Sequence, residues 1–370
     1  ELYTEEYARR GQAHAALWTF GQTLQSVFAC RIGALTDQMA AAGSSLAAAA
    51  RALGRQRLLS TLIMAGLTVA FACGIVVSYY VVHELRFDRY HHDAARIYRL
   101  GAELSLGGTP NAIASTNAAP ALAMVEEFPE VERAARVRPM GRKPVRHGNR
   151  QFYEERMLWA DASVLDVFSF PMIRGNPDTA LVQPRSIVLT REAAEKYFGA
   201  RDPLGRTLVV NNTTEFTVTG IVKNVRSDSH FVFDMLCSLE TLYDGNREQM
   251  EAWFSPFVHY SYVVLAKDAS PEEVERRLPG LVDRHVGDDA AASGASLAYF
   301  LQPLTRIHLH SKLRHELAPN GNFVSICAFG FVALSILLIA SLNFVNLMRS
   351  RAAVRTREVG AAQVLAESLL

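Results

Sequence analysis

LLSTLIMAGLTVAFACGIVVSYYVV, Leu58–Val82, runs for 25 residues without a charge. A second such run, FVSICAFGFVALSILLIASLNFVNLM, spans the 26 residues Phe323–Met348. A bilayer core of about 30 Å is crossed by roughly 20 helical residues. Both runs are long enough to span it with some tilt, and core helices of soluble proteins are usually shorter and keep a polar face. The first is too long for a cleaved leader and is preceded by 57 residues. The fold class expected is a membrane α-helical protein with a large domain between its helices.

That domain is the 240-residue segment His83–Asn322. Arg51, Arg55 and Arg57 precede the first run, and Arg349, Arg351, Arg355 and Arg357 follow the second. Inside the segment, Arg86, Arg89, Arg96, Lys312 and Arg314 lie near the helix ends. Seven basic residues against five favour both termini in the cytoplasm and the domain outside. A net charge of +1 gives no reason to expect nucleic acid as a partner. The cysteines are Cys30, Cys73, Cys237 and Cys327. Only Cys237 lies in the large segment, so that domain cannot hold an internal disulfide. The chain begins with Glu1 and stops at Leu370 just after a charged stretch, and reads as a fragment.

Residues 1–57 read as a small cytoplasmic helical hairpin packed near the membrane, since Leu17, Phe20, Leu24, Val27 and Phe28 share a helix face. In the large segment, strands are expected at Arg185–Leu189, Thr207–Val210, Glu215–Val222 and Tyr260–Leu265, which are rich in β-branched and aromatic residues. Helices are expected at Ala118–Phe128, Arg191–Phe198 and Pro271–His285. The second has Thr190 and Gly199 as caps, and the third has Ser270, Pro271 and early glutamates at its start. Helices scattered among strands predict an α+β domain.

The chemistry of an enzyme is missing from the sequence. GARDPLGRT, Gly199–Thr207, has five residues between its glycines and Arg206 where a phosphate-binding loop has lysine. There is no HExxH and no GxSxG. His83, His91 and His92 beside Glu84, Asp88 and Asp93 read as a solvated polar collar, with Phe87 and Tyr90 at the bilayer surface. His308 and His310 would share a face if extended, and Asn224–His230 reads as a polar loop. Asn211 and Asn212 match a glycosylation sequon weakly. No cofactor or metal is expected.

Five stretches resemble the ABC-transporter permeases of the MacB/FtsX type, in their tandem-repeat version. They are YYVVHELRFDRYHHDAARIYRL (Tyr79–Leu100), the long string Asp161–Leu208, FTVTGIVKNVRSDSHFVFDMLCSLETL (Phe216–Leu242), LQPLTRIHLHS (Leu301–Ser311) and Ile339–Leu369. The resemblance implies the plan 1–57 prefix, 58–82 first membrane helix, 83–322 MacB-like periplasmic core with a porter part and an inserted subdomain, 323–348 second membrane helix, and 349–370 cytoplasmic coupling segment. It implies a non-catalytic permease subunit in the bacterial inner membrane, working by mechanotransmission with a separate ABC ATPase, as a dimer of permeases or of tandem repeats. The residues it assigns to the ATPase contact are Arg355, Arg357, Glu358, Val359 and Gly360. The ending AAQVLAESLL is less basic than the family's usual one. Two other readings share the helix–domain–helix plan: a receptor with an extracytoplasmic sensor domain, and a regulator of a cell-wall hydrolase.

Overall fold

The computed structural model describes residues 57–106, 109–293 and 295–367. The expected prefix, 1–57, falls outside them apart from Arg57. Helix α1 is Arg57–Leu85. Strand β1 (Ile97–Leu106), β2 (Thr109–Ile113), α2 (Ala119–Glu127) and β3 (Val131–Pro139) follow. Next come β4 (Lys143–His147), β5 (Arg150–Glu154), β6 (Met157–Ala160), α3 (Val164–Val167) and β7 (Met172–Gly175). Then β8 (Ser186–Thr190), α4 (Arg191–Phe198), β9 (Thr207–Val210), β10 (Thr214–Val222), β11 (Met235–Ser238), α5 (Glu240–Tyr243) and α6 (Arg247–Met250). The chain continues with β12 (Tyr260–Leu265), α7 (Pro271–Ser293), β13 (Ala295–Pro303), α8 (Leu304–His310) and α9 (Phe323–Glu367).

Residues Val76–Val332 form one compact unit. Its strands join in a single 13-stranded mixed sheet, in the order β13-β1-β12-β3-β6-β11-β8-β10-β9-β4-β5, with β2 on β1 and β7 on β10. Most pairs are antiparallel, while β10–β8 and β11–β6 are parallel. All six residues of β12 and all five of β8 are buried, as expected of central strands covered on both faces. Helix α4 forms where Thr190 accepts a hydrogen bond from the Ala193 N–H at 3.2 Å, and it stops at Gly199, φ 62°. Ala193, Ala194, Tyr197 and Phe198 bury one face of α4 over β8–β10. Helix α7 starts where the Ser270 hydroxyl accepts from the Glu273 N–H. Its residues Val274, Leu278, Leu281 and Val282 cover β1, β12 and β13 at helical spacing. The helix runs to Ser293, eight residues past its expected end. Cys237 is fully buried in β11.

In the other unit, the described stretches are 57–75 and 333–367. There Gly74 lets α1 and α9 meet closely: a Cβ on it would sit 3.2 Å from the Leu337 side chain. Ile63–Leu85 and Phe323–Asn346 are helical stretches long and apolar enough to cross a membrane. Large apolar side chains face outward along them, among them Ile75 at 69% and Phe331 at 72% exposure. Patches of that extent are unfavourable in water and suit a lipid surround.

Candidate functional site

The chain enters the domain at the end of α1 and leaves it through Ser311–Asn322 before α9. Both joints are built from buried polar groups. In the first, Asp88 is fully buried and sits at φ 57°, a left-handed conformation that Asp tolerates better than most residues. Its N–H donates to the Asp228 carbonyl at 2.8 Å. Its carboxyl group accepts from the His230 N–H at 3.0 Å and the Ser229 hydroxyl at 3.2 Å, and lies 3.0 Å from His230 Nδ1. His230 Nε2 is 2.6 Å from the Tyr262 hydroxyl in the middle of β12. A path of contacts thus runs from the foot of α1 to a central strand.

The same joint corrects two expectations and adds to a third. The collar is solvated only in part: His92 is exposed, but Asp88 is buried under the loop 228–230 and His91 against Phe168, Ser169 and Phe170. His91 Nδ1 accepts from the Ser169 N–H, and burial pulls its pKa down to about 4. Phe87 and Tyr90 face protein. Phe87 stacks on His308 at 3.4 Å, and the Arg226 guanidinium lies 5.1 Å over the Tyr90 ring. The Asn224–His230 loop is polar, but Asp228, Ser229 and His230 are buried.

In the second joint, Arg99 of β1 is fully buried and donates two hydrogen bonds to Glu316, at 2.6 and 2.9 Å. It also donates to Gln302 at 2.5 Å and Ser311 at 3.0 Å. Burial alone would raise the Glu316 pKa, but the bonds from Arg99 outweigh it and hold the group below the ordinary carboxylate value. Nearby, the Tyr260 hydroxyl donates to the His315 carbonyl, and Arg314 exchanges backbone bonds with Ala112 and Ala114.

The joints converge. Arg99 pairs in register with Gln302 on β13 and with Tyr262 on β12. One joint therefore ends on Tyr262 and the other on Arg99, directly opposed cross-strand neighbours on one sheet face. They meet a second time at α8. Glu84, in the last turn of α1, lies 2.7 Å from His308 Nε2. Gly321, just before α9, packs on that pair, and a Cβ there would fall 2.8 Å from both groups. His308 and His310 belong to a helix and do not share an extended face.

The residues expected to meet the ATPase, Arg355, Arg357, Glu358, Val359 and Gly360, lie on the helical backbone of α9, with side chains outside the described residues. The joint residues were missed as functional candidates. Yet Asp88, Arg99, His230, His308 and Ser311 all fall inside the strings that carried the family resemblance. Tyr262 and Glu316 do not, and nothing in their local sequence distinguishes them.

The family described as the MacB-like periplasmic core domain matches residues 60–281. The chain belongs to the MacB/FtsX-type ABC transporter permeases. None of the curated proteins matches it. Among solved structures, a domain described as that of a permease from Porphyromonas gingivalis is similar at 23% identity and TM-score 0.53, covering 64% of this chain and 98% of that one. The periplasmic region of MacB from Actinobacillus actinomycetemcomitans aligns at 14% identity and TM-score 0.42, over 58% and 91% of the two chains. The extracellular domain of the noncanonic ABC-type transporter YknZ from Gram-positive bacteria aligns at 14% and 0.38, over 56% and 99%. At these identities the likeness to the Porphyromonas domain speaks for the fold alone. Members of this permease family are generally non-catalytic and work with an ABC ATPase.

Proposed function

We propose that this permease chain is a mechanical coupler. A separate ATPase, closing on ATP, would push the segment 349–370. The helices 58–82 and 323–348 would carry the movement across the inner membrane, and the domain 83–322 would act on a substrate on the periplasmic side, in export. Two permease chains, or two tandem repeats, would work as a pair. The observation that supports this best is the convergence of the joints. Tyr262 and Arg99 are adjacent in the sheet, and each ends a buried polar path from one helix. A shift of one helix against the other would load a single cross-strand pair, the arrangement a lever needs.

The test is the ATP-hydrolysis rate of the ATPase that copurifies with the full-length permease, measured in liposomes. Gly360→Leu denies a partner close approach to the backbone, and Glu358→Lys reverses a charge that can pair across the contact. Both are expected to abolish stimulation at normal expression, while Arg351→Lys keeps the charge and leaves the rate unchanged. Equal rates in all three would reduce 349–370 to an anchor and remove the coupling.

A further inference from the structure

At the end of the sheet opposite β13 lies the β4–β5 hairpin. It is a basic stretch of the domain surface that the coupling reading leaves unused. From Gly141 to Tyr153 the sequence is GRKPVRHGNRQFY, with four Lys or Arg, one His and no acid. Among the described residues, strand β5 is the last in the order and pairs only with β4, in the register Pro144↔Tyr153 and Arg146↔Gln151. The Pro144 carbonyl accepts from the Asn211 N–H, so at this position the β4 backbone faces β9. By alternation, Val145 and Phe152 bond to each other across the hairpin, and the N–H and C=O groups of Gln151 and Tyr153 point away from the sheet.

The two faces of β5 differ. Arg150, Phe152 and Glu154 are tied down on α4. Arg150 donates to the Lys196 and Tyr197 carbonyls, Phe152 packs edge-on against Tyr197, and Glu154 pairs with Lys196. Gln151 and Tyr153 share the other face with Pro144 and Arg146, and the Arg142 guanidinium lies 4.8 Å over the Tyr153 ring. Tyr153 is 61% exposed. Glu155, 3.6 Å from Arg142 and well exposed, is the nearest acid on that side. Sheet edges are commonly blunted by a proline, a bulge or a charge in the edge strand. Strand β5 has no proline and no register shift, and its own charges are engaged on the α4 side. Two cations flank the open edge: Arg142, in an exposed 3.6 Å pair with Glu155, and Arg146.

We propose that β5 is a docking edge for an extended, acidic segment of a partner protein. The segment adds as a further strand along Gln151–Tyr153, with its carboxylates on the face that carries Arg142 and Arg146. The backbone supplies affinity, and the charge fixes the class of partner and its register.

The probe is a fluorescein-labelled peptide Glu-Val-Glu-Val-Glu-Val-Glu, read by anisotropy against the full chain in detergent. The comparison peptide Glu-Glu-Pro-Glu-Val-Pro-Glu carries the same four glutamates, and its prolines remove N–H groups from both edges of a strand. The alternating peptide is expected to bind, and the proline peptide to bind at least about tenfold more weakly. Arg146→Glu should weaken the alternating peptide by a similar factor. Gln151→Pro, which removes an outward N–H and leaves the bonds to β4 intact, should do the same. Equal binding of the two peptides would mean charge attraction without strand addition and would overturn the proposal, whether or not Gln151→Pro folds. No peptide binding, with Arg146-dependent binding to phosphatidylglycerol vesicles, would assign the patch to lipid instead. Self-association lost in Arg146→Glu would assign it to a second copy.

Discussion

The two joints do the same task with different chemistry. The first spreads its hold over many modest contacts: one carboxyl group, two backbone N–H groups, a hydroxyl, two histidines and a tyrosine. The second has one ion pair at its centre, Arg99–Glu316, with the guanidinium wholly out of water and neutral hydrogen bonds around it. A distributed joint tolerates the loss of a member. A concentrated one fails at once, because the surviving charge has nowhere to go.

That contrast can be broken most sharply at Glu316. Glu316→Ala leaves Arg99 buried with no carboxylate and is expected to cost about 3–5 kcal/mol. Thermal unfolding in detergent should show Tm lowered by roughly 10 °C. The double replacement Arg99→Met with Glu316→Leu should recover most of that loss, since no charge is left stranded. A double variant as unstable as Glu316→Ala would refute the concentrated reading.

Acid should separate the joints without mutation. Folded His91 has a pKa of about 4, against 6.5 in a free histidine. Between those values the unfolded chain takes up a proton that the folded chain refuses, so stability is complete above pH 6.5 and falls as pH drops toward 4. The loss amounts to roughly 3 kcal/mol at most. Glu316 is shifted below its ordinary value of 4.5, so its contribution persists above 4.5 and fades only below it. Hydrogen exchange, corrected for intrinsic rates, should therefore show residues 86–92 losing protection between pH 6.5 and 4.5 while 311–317 hold. His259, also held low by burial, lies outside both segments, and His91→Gln isolates the first joint's share. Simultaneous loss in both segments would show one cooperative joint instead of two.

The smallest effect is expected where the joints touch. In Gly321→Ala the new methyl group must push Glu84 and His308 apart. Both are flexible side-chain ends, so the cost is about 1 kcal/mol, a Tm shift of a few degrees. A shift as large as that of Glu316→Ala would make this contact the principal tie.

How much of this could be read in advance followed the range of the interactions involved. The apolar runs, the caps of α4, and strands β9 and β12 depend on neighbours in sequence, and they appear where composition and turn chemistry put them. The start of α7 was legible from Ser270 and Pro271; its end was set too early, at His285, although Gly294 directly after Ser293 is a stop signal in the sequence. Strand β1 went unseen because IYRLGAELSL carries Arg99, Gly101 and Glu103, which look like surface or turn residues until the partners are known. Asp88 and His91 looked solvated because the segments that bury them lie far off in the chain, some 140 residues away for Asp88 and 78 for His91. The family strings held most joint residues but gave no reason to single them out.

Arg99 and Glu316 are separated by 217 residues, and β1 pairs along its length with β13, near the far end of the domain. A ribosome adding roughly 5–20 residues per second needs on the order of 10–40 s to cover that interval. Through all of it the nascent chain carries an unmatched arginine in an unfinished sheet. The core of this unit cannot close piecemeal from its N-terminal end. Its early strands must wait, exposed to mispairing and to proteases, until nearly the whole domain has been made.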